Sequence, residues 1–339
     1  MKTIRVAING FGRIGRAFVR QAWNRPEIEL VAINDLGSIE TAAYLLAYDT
    51  VYGRAPFTVE KKEGALVIDG KEVKVLAEKD PTVLPWKEMN IDVVVEATGV
   101  FNDYQKARVH LDAGARRVVI TAPAKGDEGP DKGATVLMGV NEDMMKTCPV
   151  TSNASCTTNA GSPVIAIMDE SVGIEHAMLS TTHAYTATQS IVDGASKKDL
   201  REGRAAAQNI IPSSTGAAIA VTRAYPSLEG KFDGISLRVP VPVGSIADIT
   251  FVAKRDTSAE EINDILRKAA SEARWKGVFA VSDGALVSSD IIDDRHASIA
   301  DLPMTRVVNK RLVKVLAWYD NEAGYTHTLV EHVIKAANA

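Results

Sequence analysis

Cys156 sits in the run Ser155-Cys156-Thr157-Thr158-Asn159, where an extended apolar pattern passes into a helical one. A thiol at a helix N-terminus lies at the positive end of the helix dipole, which favours the thiolate, the form that attacks carbonyls. Backbone N–H groups at the same place can hold an oxyanion. His183 follows the strand pattern 178–182, and a Cys–His pair is the minimum for covalent catalysis on a carbonyl. Taken alone, neither residue decides the matter. A solitary cysteine is more often a small buried hydrophobe, and a lone histidine after a strand is more often structural or exposed. His110, His176, His296, His327, His332 and Cys148 stand in no motif and read as surface or core residues. No Cys/His cluster has zinc-ligand spacing, so no metal is expected.

A second constellation is Gly10-Phe11-Gly12-Arg13-Ile14-Gly15, placed between an apolar strand and a helix, with Asp35 at the end of the next strand. Gly10 permits the tight turn, Gly12 lets the backbone approach a pyrophosphate, and Gly15 lets helix and strand pack closely. The diphosphate then meets free N–H groups at a helix start. Asp35 would accept hydrogen bonds from the adenosine ribose hydroxyls and repel a 2′-phosphate, which favours NAD over NADP.

The elements that must hold these groups follow from the rest of the chain. Its 339 residues suggest two domains. A composition of 46% hydrophobic and 24% charged residues is that of a globular protein. The net charge of -4 carries no basic surplus, so nucleic acid is not indicated. No apolar run approaches the roughly 18 residues that span a bilayer. The N-terminus runs straight into a strand pattern without an apolar leader, and two cysteines fit a reducing compartment, so a cytoplasmic location is expected. The first half alternates strands (3–9, 28–34, 92–97, 116–121) with helices (13–24, 103–113), which means βαβ units and a parallel sheet. Residues 57–77 read as an antiparallel insertion and 125–132 as a surface loop. After about residue 154, a helix at 156–172 is followed mainly by strands (178–182, 235–241, 247–253, 312–319). Ser258 caps a helix to about 273, with Glu261 completing a capping box. Residues 193–203 form a long loop, and 322–337 an amphipathic helix. The fold class is α/β: a Rossmann-type dinucleotide-binding domain plus an α+β catalytic domain with a mostly antiparallel sheet.

Five segments resemble the phosphorylating glyceraldehyde-3-phosphate dehydrogenase family: 8–16, 152–159, His183-Ala184-Tyr185-Thr186, 211–218 and Trp318-Tyr319-Asp320-Asn321-Glu322. The resemblance implies an NAD-binding domain over 1–154, with the C-terminal helix 321–339 packing back on it, and a catalytic domain over 155–320. It implies Cys156 as nucleophile and His183 as base. Glyceraldehyde 3-phosphate would be oxidised through a hemithioacetal and a thioester, which inorganic phosphate then attacks. Thr186 and Arg238 would hold the substrate phosphate, and Ser155, Thr157, Thr215 and Gly216 the attacking phosphate. Arg13 and Ile14 would flank the cofactor diphosphate. Thr98, Gly99 and Thr121 would face the cofactor from strand ends, and Asn321 would bind the nicotinamide amide, with Tyr325 nearby. The family is a homotetramer, with the loop 193–203 between subunits. The chain departs from the family pattern at Ala160, where a second thiol is usual, and at Ala323, where a tryptophan is usual and its loss would leave space. Ala195 replaces a frequent proline, and Glu202 a frequent second arginine. Erythrose-4-phosphate dehydrogenase is the nearest rival, ranked lower because it usually lacks the threonine at 186. Aspartate-semialdehyde dehydrogenase matches fewer motifs. A non-catalytic binding protein, including one that holds RNA in its dinucleotide groove, is opposed by the intact Cys156, His183 and Arg238.

Overall fold

The computed structural model describes residues 3–196 and 199–339. Met1 and Lys2, part of the N-terminal reading, and Lys197 and Lys198, inside the loop 193–203, lie outside the described residues. The chain divides into two compact units. The first comprises Met1–Val136, Glu142–Ala154 and Thr326–Ala339; the second comprises Leu137–Asn141 and Ser155–Tyr325.

In the first unit nine strands form one sheet among the described residues. They are β1 (Ile4–Asn9), β2 (Ile28–Asn34), β3 (Val59–Lys62), β4 (Ala65–Ile68), β5 (Lys71–Leu76), β6 (Val93–Glu96), β7 (Arg117–Ile120), β8 (Ala134–Thr135) and β9 (Val150–Ser152), in spatial order β8-β9-β7-β6-β1-β2-β5-β4-β3. Every pair from β8 to β5 is parallel, while β3, β4 and β5 are joined antiparallel. The insertion thus extends the sheet rather than standing apart from it. The central strands β1 and β6 are buried almost throughout, as a parallel sheet covered on both faces requires. Helix α1 (Arg13–Ala22) follows β1, and α2 (Ile39–Ala47) follows β2, capped by the Ser38 hydroxyl on the Thr41 N–H. The single helix expected over 103–113 is instead two short helices, α3 (Tyr104–Ala107) and α4 (Val109–Asp112). Asp103 caps the first through the N–H groups of Gln105 and Lys106, and the chain turns at Arg108, with His110 fully buried beyond it.

The second unit opens with α5 (Cys156–Ser171). Its strands are β10 (Ile174–Ala184), β11 (Ile211–Ser214), β12 (Phe232–Val239), β13 (Ser245–Ala253), β14 (Phe279–Ser282), β15 (Ser298–Asp301), β16 (Arg306–Val308) and β17 (Leu312–Tyr319). The sheet order is β11-β12-β10-β13-β17-β15-β14, with β16 paired to β17. Most pairs are antiparallel; β10–β12 and β14–β15 are parallel. Burial alternates strictly along β13 and β17, so one face carries the core. Helix α5 supplies that core. It is buried from Thr157 to Met168 and packs on β10, β13, β15 and β17 and on α6 (Ala217–Ala224) and α7 (Ala259–Ala270). Ser258 caps α7 as expected, but Glu261 does not reach back to complete the box. Its carboxylate takes Arg255 and the Thr257 hydroxyl instead. The final helix is α8 (Ala323–Asn338).

Candidate active site

The glycine loop of the first unit is built for close approach. Gly10 has φ +96, and a Cβ there would lie 2.6 Å from the carbonyl carbon of Ala97. A Cβ at Gly15 would overlap the Gly10 carbonyl oxygen, whereas above Gly12 there is open space. Gly12 caps α1 with no side-chain hydrogen bond. A cleft of about 470 Å³ borders this loop, lined by Asn34, Asp35, Leu36, Thr98 and Phe101 among others. The Asp35 carboxylate accepts from the N–H groups of Phe11 (2.6 Å) and Gly37 (2.8 Å), so it clamps the loop as well as facing the cleft. This geometry fits an adenosine diphosphate moiety. The Arg13 guanidinium pairs with Asp49 at 2.6 Å, so its backbone in the first turn of α1 is the group that can flank a diphosphate. Ile14 lies in the same turn.

Thr98 is held by residues that the sequence did not single out. Both its N–H and its hydroxyl donate to Glu96 Oε1. Glu96 Oε2 accepts from Asn9 Nδ2 and lies 2.9 Å from His110 Nε2. The Trp86 indole can only donate, so its 3.2 Å contact makes His110 Nδ1 an acceptor and puts the ring proton on Nε2. Gly99 follows with φ +73, and the Thr121 N–H donates to Glu96 O at the end of β7.

The nucleophile is positioned by its own helix. Ala154, fully buried, adopts φ +55, a strained value for a residue with a Cβ. Ser155 then caps α5, its hydroxyl accepting from the Thr158 N–H at 3.1 Å. Cys156 is the first helical residue and keeps partial exposure. Its sulfur lies 3.2 Å from His183 Nε2. On the far side of the ring His183 Nδ1 lies 2.6 Å from the Ala184 carbonyl oxygen, and Nε2 is the nitrogen turned to the thiol. Arg238 Nη1 crowds the same side of the ring and also donates to that carbonyl. Burial, and then the Arg238 charge, push the imidazole down to about 3. Burial also pushes the Cys156 thiol up, against Arg238 and the N–H groups at the helix start, which pull it down. Desolvation is the largest of these effects on the thiol and opposes the expectation that the helix start by itself lowers it.

The remaining positions separate into those facing open space and those tied up. Arg238 lines a cleft of about 940 Å³ with Thr188, Ser190, Glu202, Ser213 and Ser214, and its buried Nε has no hydrogen-bond partner among the described residues. Thr186 binds Gln189 Oε1 through its N–H and its hydroxyl. The Thr157 hydroxyl turns inward to Tyr319 OH at 2.9 Å, so only its backbone is available to an anion. Thr215 accepts from the Ala217 N–H, and Gly216 caps α6 without a side chain. Asn321 Oδ1 accepts from the Gly244 N–H and the Ser245 hydroxyl, while its amide nitrogen takes no partner among the described residues. Tyr325 is buried. Ala323 is only 3% exposed, its N–H donating to Asp320, so the expected space is not an open one. Tyr319 was not read as a site residue. It packs edge-on against His183 and hydrogen-bonds Thr157 and Thr181, and burial holds its hydroxyl far above the usual range. Its place beside Trp318 and Asp320 in a recognised motif was the available signal.

Comparisons with known proteins agree with this arrangement. A family model described as glyceraldehyde 3-phosphate dehydrogenase, NAD binding domain, matches residues 4–104, and one described as the C-terminal domain of the same enzyme matches 155–321. The chain is 49% identical over 330 residues to glyceraldehyde-3-phosphate dehydrogenase of Thermotoga maritima, covering 96% of this chain and 97% of the relative. It is 46% identical over 332 residues to glyceraldehyde-3-phosphate dehydrogenase 1 of Streptomyces avermitilis, covering 97% of each. It is also 46% identical over 337 residues to the Zymomonas mobilis enzyme, covering 98% of each.

Proposed function

The chain belongs to the glyceraldehyde-3-phosphate dehydrogenase family, and we propose that it performs the family's reaction through Cys156, His183 and Arg238. It is an NAD-dependent oxidoreductase that converts glyceraldehyde 3-phosphate and inorganic phosphate to 1,3-bisphosphoglycerate, a step of glycolysis and gluconeogenesis. The observation that carries the residue assignment is the Cys156 sulfur, at the start of α5, 3.2 Å from His183 Nε2. His183 takes the thiol proton as sulfur adds to the aldehyde, N–H groups at the helix start hold the oxyanion as it forms, and His183 returns the proton to it to give the hemithioacetal hydroxyl. The hemithioacetal hydroxyl then loses its proton to the same nitrogen as hydride leaves. NAD, when bound, supplies the hydride acceptor. The thioester that remains retains oxidation energy that direct hydrolysis would lose, and phosphate attack releases the acyl phosphate and returns the electron pair to sulfur.

Arg238 serves the substrate phosphate: its buried Nε is an unused donor on a planar fork suited to phosphate oxygens. Thr186, Ser155, Thr157, Thr215 and Gly216 contribute backbone N–H groups or hydroxyls to the two phosphates. Gly10, Gly12, Arg13, Ile14, Gly15, Asp35, Thr98, Gly99, Thr121, Asn321 and Tyr325 form the cofactor site, with the free amide nitrogen of Asn321 as the nicotinamide donor. The protein acts as a cytoplasmic homotetramer. The exposed Ile191, Val192, Leu200 and Ile210 around the loop 193–203 support burial of that loop between subunits. Among the described residues no helix is long and apolar enough to cross a membrane. The test is NADH formation with glyceraldehyde 3-phosphate and with erythrose 4-phosphate, each with and without inorganic phosphate. Phosphate-dependent turnover favouring the three-carbon substrate is expected. A preference for erythrose 4-phosphate, or indifference to phosphate, would overturn the reading.

A further inference from the structure

The register of the second sheet brings a carboxylate to the phosphate-binding face. His183 on β10, Arg238 on β12 and Ile211 on β11 are cross-strand partners, and Thr181, Ser236 and Ser213 form the row two residues along, which shares their face. Partners in neighbouring strands point to the same side of a sheet. Ser213 therefore projects on the face that carries His183 and Arg238, and its hydroxyl donates to Glu202 Oε1 at 3.2 Å. Glu202 and Arg238 line one cleft of about 940 Å³ together with Thr188 and Ser190. Yet no ion pair joins the two among the described residues. Arg238 keeps an unused Nε donor, and the second Glu202 oxygen takes no partner among the described residues. Opposite charges that share a cleft without pairing leave room for anions of two kinds: the bare oxygens of the substrate phosphate toward the guanidinium, and the hydroxyl of a second, protonated oxyanion toward the carboxylate.

We propose that Glu202 is a specificity-determining residue of this cleft, accepting a hydrogen bond from the hydroxyl of a protonated tetrahedral oxyanion. The proposal rests on the phosphorylating reading given above and names what that reading leaves open, the species of the acyl acceptor. Hydrogen phosphate carries a hydroxyl at neutral pH; sulfate, of the same shape, carries none and would meet the carboxylate with bare, negatively charged oxygens. The same repulsion disfavours a fully ionised phosphate ester, so the position beside Glu202 is kept for the inorganic acceptor. In the transfer step an unprotonated phosphate oxygen bonds to the thioester carbon. The carbon–sulfur bond breaks with its electron pair going to Cys156, and the phosphate proton stays where Glu202 holds it.

The experiment is calorimetric titration of the full-length protein with inorganic phosphate and, separately, with sodium sulfate, in the wild type, Glu202→Gln and Glu202→Asp. A hydrogen bond to a charged acceptor corresponds to about tenfold or more in affinity. The wild type should therefore favour phosphate over sulfate, Glu202→Gln should narrow that ratio by about tenfold, and Glu202→Asp should retain most of it. Equal binding of the two anions by the wild type would overturn the proposal, as would a ratio unchanged in Glu202→Gln. The wild-type ratio and the aspartate variant decide the matter even if the glutamine variant folds poorly. Sulfate should also become a stronger inhibitor of phosphate-dependent NADH formation in Glu202→Gln. Phosphate-independent NADH formation would instead overturn the phosphorylating reading, and the binding ratio would still judge Glu202.

Discussion

At the scale of single residues, the site depends on which atom each hydrogen bond leaves free. The Ala184 carbonyl and Arg238 both meet His183 at Nδ1, so Nε2 is the ring nitrogen left to face Cys156. Ser245 holds the same segment in place, its hydroxyl accepting from the Ala184 N–H and donating to Asn321. Arg238 has two tasks, crowding His183 and offering Nε to a ligand. Arg238→Gly should therefore lower kcat/KM for both glyceraldehyde 3-phosphate and glyceraldehyde, but the phosphorylated substrate by at least about tenfold more, because a charge-assisted phosphate contact is lost only there. Arg238→Lys should restore part of that difference, keeping the charge without the planar fork. Steady-state kinetics with both substrates checks this. Equal losses in Arg238→Gly would assign the arginine to His183 alone.

At the scale of elements, two helices with the same cap chemistry should respond differently. Ser155 caps α5 and Ser258 caps α7, each accepting an N–H three residues on. Loss of a serine cap costs about 1 kcal/mol. Ser258→Ala should lower the melting temperature by a few degrees and leave kcat/KM unchanged, since α7 carries no site residue. Ser155→Ala should cost similar stability and also reduce kcat/KM several-fold, because the uncapped turn is the one that aims Cys156 and its N–H groups. Melting curves beside kinetics separate the two. Matched kinetics in both variants would mean that Ala154 and the buried body of α5, rather than the cap, set the thiol.

At the scale of the whole molecule, each unit holds a buried histidine that is pushed far below its ordinary value. In the first unit the Thr151 hydroxyl lies 2.8 Å from His332 Nε2, and His332 Nδ1 lies 3.1 Å from Asn153 Oδ1. Burial, and then the Lys335 charge, push His332 down to about 3. In the second unit His183 is pushed down to about 3. Both lie below the ordinary value of 6.5, so between pH 6.5 and 3 the unfolded chain binds more protons than the folded one. Stability is then full above that window and lost as the pH falls through it, at ~1.4 kcal/mol per pH unit for each histidine. Urea midpoints measured from pH 7 to pH 4 should fall steadily. In His332→Gln the absolute midpoint should drop while its slope with pH becomes shallower by about one proton. An unchanged slope would show that other groups govern acid unfolding.

The sequence by itself determined the parallel sheet and its glycine loop, because apolar runs alternating with helical periods admit few other arrangements and Gly10 and Gly15 stand where a Cβ would overlap backbone. It also determined the candidate chemistry, since the motif around Cys156 and the residues following it to Arg238 were legible as a set. What it left undecided depends on atoms far apart in the chain. The alanine at 154 gives no sign of its left-handed backbone. Tyr319 becomes a neighbour of His183 only when β17 enters the sheet beside β13. Glu96 and His110 become a support for Thr98 only through Trp86 and Asn9. The burial that raises the Cys156 thiol lies beyond one segment for the same reason. A helix dipole can be read from one segment, but desolvation is the summed effect of every chain segment packed around the pair, and only the tertiary structure supplies that sum.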